Sequence, residues 1–353
     1  ANNGRDDRGL WFAEVDEVQT TIWAEFEDVN PNHELVEINV RQSVFYPETT
    51  GINYITVEGF TLEQAAAPWA PPTAEQIGLI GTHWSKGWLI QNNTIRYSSC
   101  VGITLGKHGD EFDNTFDYFR SIRQASEKHN WNREHVGSHM VRNNHIYNCG
   151  QAGIVGSLGA IFSTITGNEI HDIRKEHAYG GCETAGIKIH GAVDMVISHN
   201  HVYNCEHWGG IWLDWMAQGA RVTGNLLHGN SQDMMFEVNH GPFLVDNNLM
   251  LSQRHMTKVS DGGAYVHNLL WGKINLWPTE QRKSPYMKAH SAEVAEYHAG
   301  ISQEDDRYYN TIFVGPGGTA TLDEHGFKMQ AEGNLFLAGA RASKHDQHAV
   351  VVD

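Results

Sequence analysis

The chain has 353 residues and a formal net charge of −17 at pH 7, with 36 glycines. The acidic surplus argues against nucleic acid or an anionic polysaccharide as a partner, because phosphates and uronates call for clustered Lys and Arg; a neutral sugar is compatible with it. No apolar run reaches the roughly 18 residues of a membrane-spanning helix, so no membrane partner is expected.

The first 62 residues predict short strands bounded by Asn, Pro and Gly, which we interpret as the first coils of the fold. These strands are residues 20–24, 35–40, 44–47 and 54–60. Residues 63–78 are rich in Pro and predict a loop.

From residue 79 an Asn followed by apolar residues recurs, in several places at intervals of about 24 residues. These residues are Asn93, Asn144, Asn168, Asn200, Asn225, Asn248, Asn268, Asn310 and Asn334. Such a period predicts an all-β solenoid in which each repeat is one coil of a parallel β-helix. Asn suits a turn with positive φ, and stacked Asn side chains can hydrogen-bond from coil to coil.

Longer intervals mark insertions at residues 108–138, 173–185 and 272–309. Apolar spacing predicts a helix around residues 116–122, and residues 292–299 are a second helical candidate. Long loops in a compact solenoid are usually functional or disordered. The sequence therefore predicts one parallel β-helix domain over residues 1–353, with inserted loops and helices at 108–138 and 272–309.

Three short apolar runs at the repeat interval each end in a polar residue, at His190, Asp214 and Glu237. Equivalent residues of adjacent coils stack about 4.8 Å apart, so these three are expected to form one outward-facing column. Alternation of side chains predicts which neighbours face the core and which face outward. The inward set is Ile187, Ile189, Ile211, Leu213, Met234 and Phe236, and a second outward column is Lys188, Trp212 and Met235.

The predicted column carries a chemical implication, because two carboxylates on neighbouring rungs would lie about 5 Å apart. Retaining glycosidases hold their two carboxyl groups at about 5–5.5 Å, whereas inverting enzymes need roughly 6.5–9.5 Å. Stacked like charges also raise one pKa, which supplies a proton donor near neutral pH. On spacing alone, a surface Asp214 and Glu237 that happen to end strands remain an equal alternative.

Groups that bind sugars surround this pair, and two of the insertions flank it. Aromatic faces can carry a pyranose ring, and cationic or imidazole groups can bind its hydroxyls. The candidate substrate-binding residues are Glu183, Lys188, His190, His207, Trp212, Trp215 and His240. At least one Trp is expected to be structural. No metal is predicted, because the His-Asp-Glu column is an unspecific ligand set.

Several long phrases resemble glycoside hydrolase family 120. They are FYPETTGINYITVEGFT, APWAPPTAEQIGLIGTHWSKGW, GITLGKHGDEFDN and GGIWLDWMAQGARVTGNLLHGN, and the resemblance extends over residues 15–340. It implies a right-handed parallel β-helix and a retaining β-xylosidase, with Asp214 as nucleophile, Glu237 as general acid/base and Glu183 as a further pocket carboxylate. Family members are longer, and this chain is expected to lack a β-sandwich region and additional N-terminal sequence.

The resulting hypothesis is an exo-acting β-xylosidase that takes xylobiose and short xylo-oligosaccharides and needs no cofactor. Two other classes of protein stay open, a polysaccharide lyase and a non-catalytic carbohydrate-binding β-helix. The scarcity of Arg on this face disfavours the lyase, since Arg221 and Arg254 are expected elsewhere in their coils. A homo-oligomer is also left open.

The cysteines and the chain start bear on the compartment. Cys100, Cys149, Cys182 and Cys205 lack CxxC spacing, which favours buried, reduced thiols over a disulfide or a metal site. The opening ANNGRDDRGLWF lacks an initiator Met and the pattern of a signal peptide, as in a processed product or a piece of a longer chain. Reduced thiols without a signal favour a cytoplasmic location.

Overall fold

The computed structural model describes residues 10–26, 28–115, 117–177 and 180–352. The chain divides into two compact units, residues 1–39 and residues 40–353, where the sequence predicted a single β-helix domain. Most of the opening segment on which the signal-peptide prediction depended, residues 1–9, lies outside the described residues.

The first unit contains a β-hairpin. Strand Trp11–Val15 pairs antiparallel with strand Thr20–Ala24, and the turn between them is closed by the Asp16 carboxylate, which accepts hydrogen bonds from the backbone N–H groups of Val18 and Gln19. A 3-10 helix follows at Pro31–His33. Residues 20–24 are a strand as predicted, but its partner is antiparallel, so it is not a coil of a parallel β-helix.

The second unit is built from three parallel sheets, which we call sheets A, B and C. Sheet A contains strands Ile80–Gly81, Val101–Leu105, Ala152–Gly156, Ala185–His190, Ile211–Asp214, Met234–Glu237, Arg254–Val259 and Lys273–Leu276. Sheet B contains strands Thr61–Ala65, Thr94–Ser98, His145–Cys149, Glu169–Ile173, His201–Cys205, Leu226–His228, Leu249–Met250, Leu269–Trp271, Ile312–Val314, Leu335–Leu337 and Val350–Val352. Sheet C contains strands Thr56–Glu58, Leu89–Gln91, Met140–Arg142, Thr164–Thr166, Val196–Ser198, Arg221–Thr223, Phe243–Asp246, Gly263–Val266, Asp306–Tyr309, Met329–Glu332 and Asp346–Gln347.

The first eight coils each contribute one strand to every sheet and the last three contribute strands to sheets B and C, so the predicted parallel β-helix is confirmed. It begins later than expected: residues 35–40 form no strand, and residues 44–47 contribute only a bridge from Phe45 to Ile80. The six side chains predicted to face the core on sheet A are all at most 1% exposed. The apolar interior is therefore a continuous stack, in which each coil buries its face against its neighbours.

A ladder of asparagines runs along the interior at the start of sheet B. From Asn93 to Asn248, each amide nitrogen donates to the amide oxygen of the Asn on the next coil at 2.9–3.0 Å. Its members are Asn93, Asn144, Asn168, Asn200, Asn225, Asn248 and Asn268. The same amide oxygens also accept the backbone N–H of the preceding ladder residue, so buried polar groups are satisfied from coil to coil.

Two predictions about this ladder need correction. The next position after Asn268 is held by Thr311, whose hydroxyl accepts the Asn268 backbone N–H, and the predicted Asn310 lies one residue before it. The left-handed backbone also belongs to the residue before each ladder Asn. Asn92 and Asn143 have φ values of 56° and 53°, and Gly167 fills the equivalent place at 66°.

The insertions contain one predicted helix and one element of a different kind. Helix Tyr118–Lys128 lies in the first insertion, near the predicted position; Phe116 lies outside the described residues. In the third insertion, the helix suggested at 292–299 is wrong, because strand Val294–Ile301 pairs antiparallel with strand Glu280–Met287. Pairing with a partner strand overrides weak helix propensity. A short helix, Ala320–Glu324, and a 3-10 turn, Leu158–Ala160, complete the elements.

The cysteines follow the prediction in part. Cys149 and Cys205 are buried at equivalent places on sheet B, although the strand Glu169–Ile173 separates them, and burial raises the pKa of both thiols. Cys100 is buried as well, but Cys182 is exposed, and no disulfide links the four, all of which the structure describes. Within the described ranges, the helices are too short to cross a membrane.

Candidate active site

The predicted column lies on sheet A. In the parallel register, His190 pairs with Asp214 and Asp214 with Glu237, while Lys188 pairs with Trp212 two residues earlier. This confirms both outward columns. Because neighbouring strands lie about 4.8 Å apart, Asp214 and Glu237 project side by side from adjacent rungs.

The strands end at the acids because the next residues leave the β-region. Gly191, Trp215 and Val238 follow the three members of the column, with φ values of 77°, 41° and 53°. Positive φ is strained for any residue with a Cβ and is an outlier for β-branched Val238. Such strain clusters at functional sites, and here it sets the edge at which the carboxylates project.

Asp214 is held as an anion by two neighbours. Lys188 Nζ lies 2.9 Å and His190 Nδ1 3.0 Å from the same carboxylate oxygen, Oδ2, and Asp214 is 5% exposed. Burial by itself would raise the pKa of Asp214, but Lys188 and then His190 outweigh it and hold that pKa well below its usual range. Lys188 also forms an ion pair with Glu183.

Glu237 is shifted in the opposite direction. Burial, followed by the charge of Asp214, raises the pKa of Glu237 to about 7, although the guanidinium of Arg282 opposes the shift. Arg282 Nη2 lies 2.6 Å from Glu237 Oε1 and its Nε 3.0 Å from Glu280. The two adjacent carboxyl groups thus differ in protonation near neutral pH, one ionised and one able to carry a proton.

The two predicted tryptophans are both buried, with different neighbours. Trp212 lies beneath the Lys188 ammonium, 3.8 Å from the ring centroid, and packs with Trp208 at 5.8 Å. Trp215 packs on Tyr118 at 4.9 Å, and its indole N–H donates to the backbone oxygen of Lys283. Trp215 therefore fixes the insertions to the coil, which confirms that at least one Trp is structural.

The remaining predicted residues lie around this centre. His207 lies beside Thr184, the residue after Glu183: its Nδ1 is 2.9 Å from the Thr184 hydroxyl. His240 packs edge-to-face on His298 of the 280–301 hairpin, at 5.2 Å, and so contacts the third insertion.

Sequence reasoning missed two residues at the pair. Arg282 contacts Glu237, so the predicted scarcity of Arg here is wrong, and Arg254 also starts a strand of sheet A, although it is exposed. The Tyr118 ring lies 5.0 Å from that of His190. Both Arg282 and Tyr118 lie in insertions, and no sequence period connects an inserted residue with a coil of the β-helix.

Comparisons with known proteins agree with this architecture. The family model described as a right-handed β-helix region matches residues 77–250, and that of the glycoside hydrolase 120 insertion domain matches residues 2–38, nearly all of the first unit. A solved structure described as the complex structure of XylC with xylose has 40% sequence identity and a TM-score of 0.91, and the match covers 97% of this chain.

The match covers 59% of the XylC chain, so this chain spans less than two thirds of that protein. A fragment of bacteriophage phi29 gene product 12 matches at 10% identity and a TM-score of 0.34, and the match covers 88% of this chain and 60% of the fragment. A likeness this weak supports no conclusion about this chain. No curated protein matches the chain.

The fold and the site together define a right-handed parallel β-helix with a buried carboxylate pair on one sheet. Within that class, the resemblance to glycoside hydrolase family 120 is confirmed by the insertion-domain match and by the XylC structure.

Proposed function

We propose that this chain carries the catalytic centre of a retaining, exo-acting β-xylosidase. The observation that carries the proposal is the opposite pKa shift of Asp214 and Glu237 on adjacent rungs. A retaining glycosidase needs one ionised nucleophile and one protonated acid about 5–5.5 Å apart. Xylose is the proposed sugar because the XylC structure is described as a complex with xylose.

In the first step, an Asp214 oxygen forms a bond to the anomeric carbon while the bond from that carbon to the leaving oxygen breaks. Glu237 transfers its proton to the leaving oxygen, which departs as an alcohol. In the second step, the Glu237 carboxylate takes a proton from water, the water oxygen bonds to the anomeric carbon, and Asp214 is released. Two inversions give net retention.

The groups around the pair fit supporting roles. Lys188 and His190 keep Asp214 ionised before attack and can bind hydroxyls of the sugar. Glu183, paired with Lys188, is the third pocket carboxylate that the family resemblance implies. The Arg282 contact with Glu237 places the 280–301 hairpin beside the acid, where an insertion can limit the site to chain ends, as exo action requires.

Proton NMR of xylobiose incubated with the chain tests the stereochemistry. We expect β-xylose first, followed by mutarotation to the α-anomer. Early α-xylose would refute the retaining mechanism. An unsaturated product that absorbs in the ultraviolet from a uronate-containing chain would indicate a lyase, and sugar binding without turnover would indicate a binding module.

Azide rescue tests the assignment of the two carboxylates. With an activated aryl xyloside, Asp214→Ala plus azide should give the α-xylosyl azide, because azide replaces the nucleophile in a single inversion. Glu237→Ala plus azide should give the β-anomer, because azide then intercepts the covalent intermediate. The reverse pattern would exchange the two roles.

A further inference from the structure

The outer face of sheet B carries a stack of aromatic and imidazole rings, on a different sheet from the carboxylate pair. The stack follows one column of successive coils: Tyr147, His171, Tyr203 and His228 have centroids 5.1, 4.7 and 5.2 Å apart and ring planes within 11° of parallel. The two tyrosines cover both faces of the His171 ring. Only its edges, which bear the two nitrogen atoms, remain for other contacts.

Both ring nitrogens of His171 lie close to side chains that can take part in a metal site. Its Nε2 lies 2.8 Å from Nε2 of His145 on the preceding coil. His145 is in register with Glu169, and one ligand atom of each of His145, Glu169 and His171 lies within 4.8 Å of the others. Two imidazoles and a carboxylate from two successive coils thus converge on one point.

The hydrogen bonds around these groups orient them as metal ligands. Nδ1 of His171 lies 2.7 Å from the Asp172 carboxylate. In the neutral ring, Nδ1 carries the proton that this contact needs, so Nε2 presents a bare lone pair toward His145. Metal-binding histidines characteristically donate their other N–H to a carboxylate in this way. The hydroxyl of Tyr203 donates to Oε1 of Glu169 at 3.0 Å and fixes that side chain too.

We propose that His145, Glu169 and His171 bind a Zn²⁺ ion that joins two coils of the β-helix. Imidazole nitrogen and carboxylate oxygen are ligands that suit Zn²⁺, and three protein ligands leave one tetrahedral position for water. Zinc–nitrogen bonds of about 2.0–2.1 Å require the two Nε2 atoms to separate slightly. Rotation of His145, whose ring is tilted by 35° against those of Tyr147 and His171 and is not stacked on either, supplies this movement.

Zinc titration by isothermal calorimetry, after chelator treatment and dialysis, tests the site. We expect one equivalent to bind to the wild-type chain, and His145→Gln and Glu169→Gln each to weaken it by at least about tenfold. Asp172→Asn should cost roughly 10–100-fold, because outer-shell carboxylates have effects of that size. A Co²⁺ titration should give visible bands of tetrahedral intensity in the wild-type chain that His145→Gln abolishes.

The same face offers a matched control. Nε2 atoms of His201 and His228 also lie 2.8 Å apart, but His228 is followed by Gly229, where Asp172 follows His171. The double variant His201→Gln/His228→Asn removes as many imidazoles as His145→Gln/His171→Asn and should leave zinc affinity unchanged. Circular dichroism checks that each variant is folded.

The chain has 22 histidines, which bind Zn²⁺ weakly wherever they are exposed. Equal losses in the two double variants would assign the binding to such scattered sites and overturn the proposal. The absence of any stoichiometric binding to the wild-type chain would overturn it as well. Zinc should also raise the melting temperature of the wild-type and control chains but not that of His145→Gln. None of these readouts depends on glycosidase activity.

Discussion

Replacing Arg282 with Gln should move the basic limb of the pH profile. Arg282 Nη2 lies 2.6 Å from Glu237 and lowers a pKa that burial and Asp214 have raised to about 7. An adjacent opposite charge typically shifts a carboxyl pKa by about 1–3 units. Because Arg282 is half-exposed and therefore screened, we use the lower end, about one unit. Loss of Arg282 also leaves the Glu280 carboxylate uncompensated, which acts in the same direction.

The direction in which the basic limb moves depends on the role of Glu237 as an acid. It must be protonated in the free enzyme, so kcat/KM falls as the pH rises through its pKa. In Arg282→Gln this fall should move from near pH 7 to about pH 8. Xylobiose is the substrate of choice, because its poor leaving group depends on protonation. With an activated aryl xyloside the same limb should be shallower.

Lys283→Gln is the matched control, since it removes an equal charge from the exposed next residue of the same strand. Its basic limb should stay near that of the wild-type chain. If the limb of Arg282→Gln stays in place or moves to lower pH, Glu237 is not the titrating acid. If Lys283→Gln shifts the basic limb equally, the shift comes from the loss of one positive charge in general and not from the contact between Arg282 and Glu237.

Three further predictions concern other contacts. Lys188→Met should raise the pKa of Asp214 and move the acidic limb of kcat/KM to higher pH, because Asp214 must be ionised to attack; an unchanged acidic limb would contradict this. Asn225→Ala should lower the free energy of unfolding by about 2–4 kcal/mol in urea titrations, since the buried backbone and amide N–H groups of Asn200 both lose their acceptor. Lys258→Met should destabilise by about 3–5 kcal/mol, because it leaves the buried Asp306 charge unpaired, and adding Asp306→Asn should recover much of the loss.

The periodic part of the molecule could be predicted from the sequence. The backbone fixes the distance between neighbouring strands, so residues at equal intervals in the chain stack in one column. The adjacent positions of Asp214 and Glu237 could therefore be predicted. A shift of one residue in a strand moves every side chain to the other face, which is why the apolar alternation identified the inward set. The substitution of Thr311 for a ladder Asn hid one position, because Asn310 immediately before it imitates the motif.

The inserted parts could not be predicted in the same way. Arg282 and Tyr118 approach the carboxylate pair through tertiary packing, and no repeat assigns them a rung. Residues 292–299, a helical candidate in the sequence, lie mostly in a strand of the 280–301 hairpin because strand pairing outweighs local helix propensity. The sequence predicts coils for the first unit, because short strands look alike in sequence whether their partners are parallel or antiparallel. The catalytic roles of Asp214 and Glu237 stay predictions until they are assayed.

The asparagine ladder also explains how inserted segments could come to surround the site. Successive ladder contacts are separated by as few as 20 and as many as 51 residues along the chain, while the spatial step stays one rung. Closing the longer loop costs only about 0.8 kcal/mol more in chain entropy than closing the shorter one, from (3/2)RT ln n. The β-helix therefore accepts extra segments between rungs at almost no thermodynamic penalty. A new segment can change what surrounds the sugar without moving the acids that react with it.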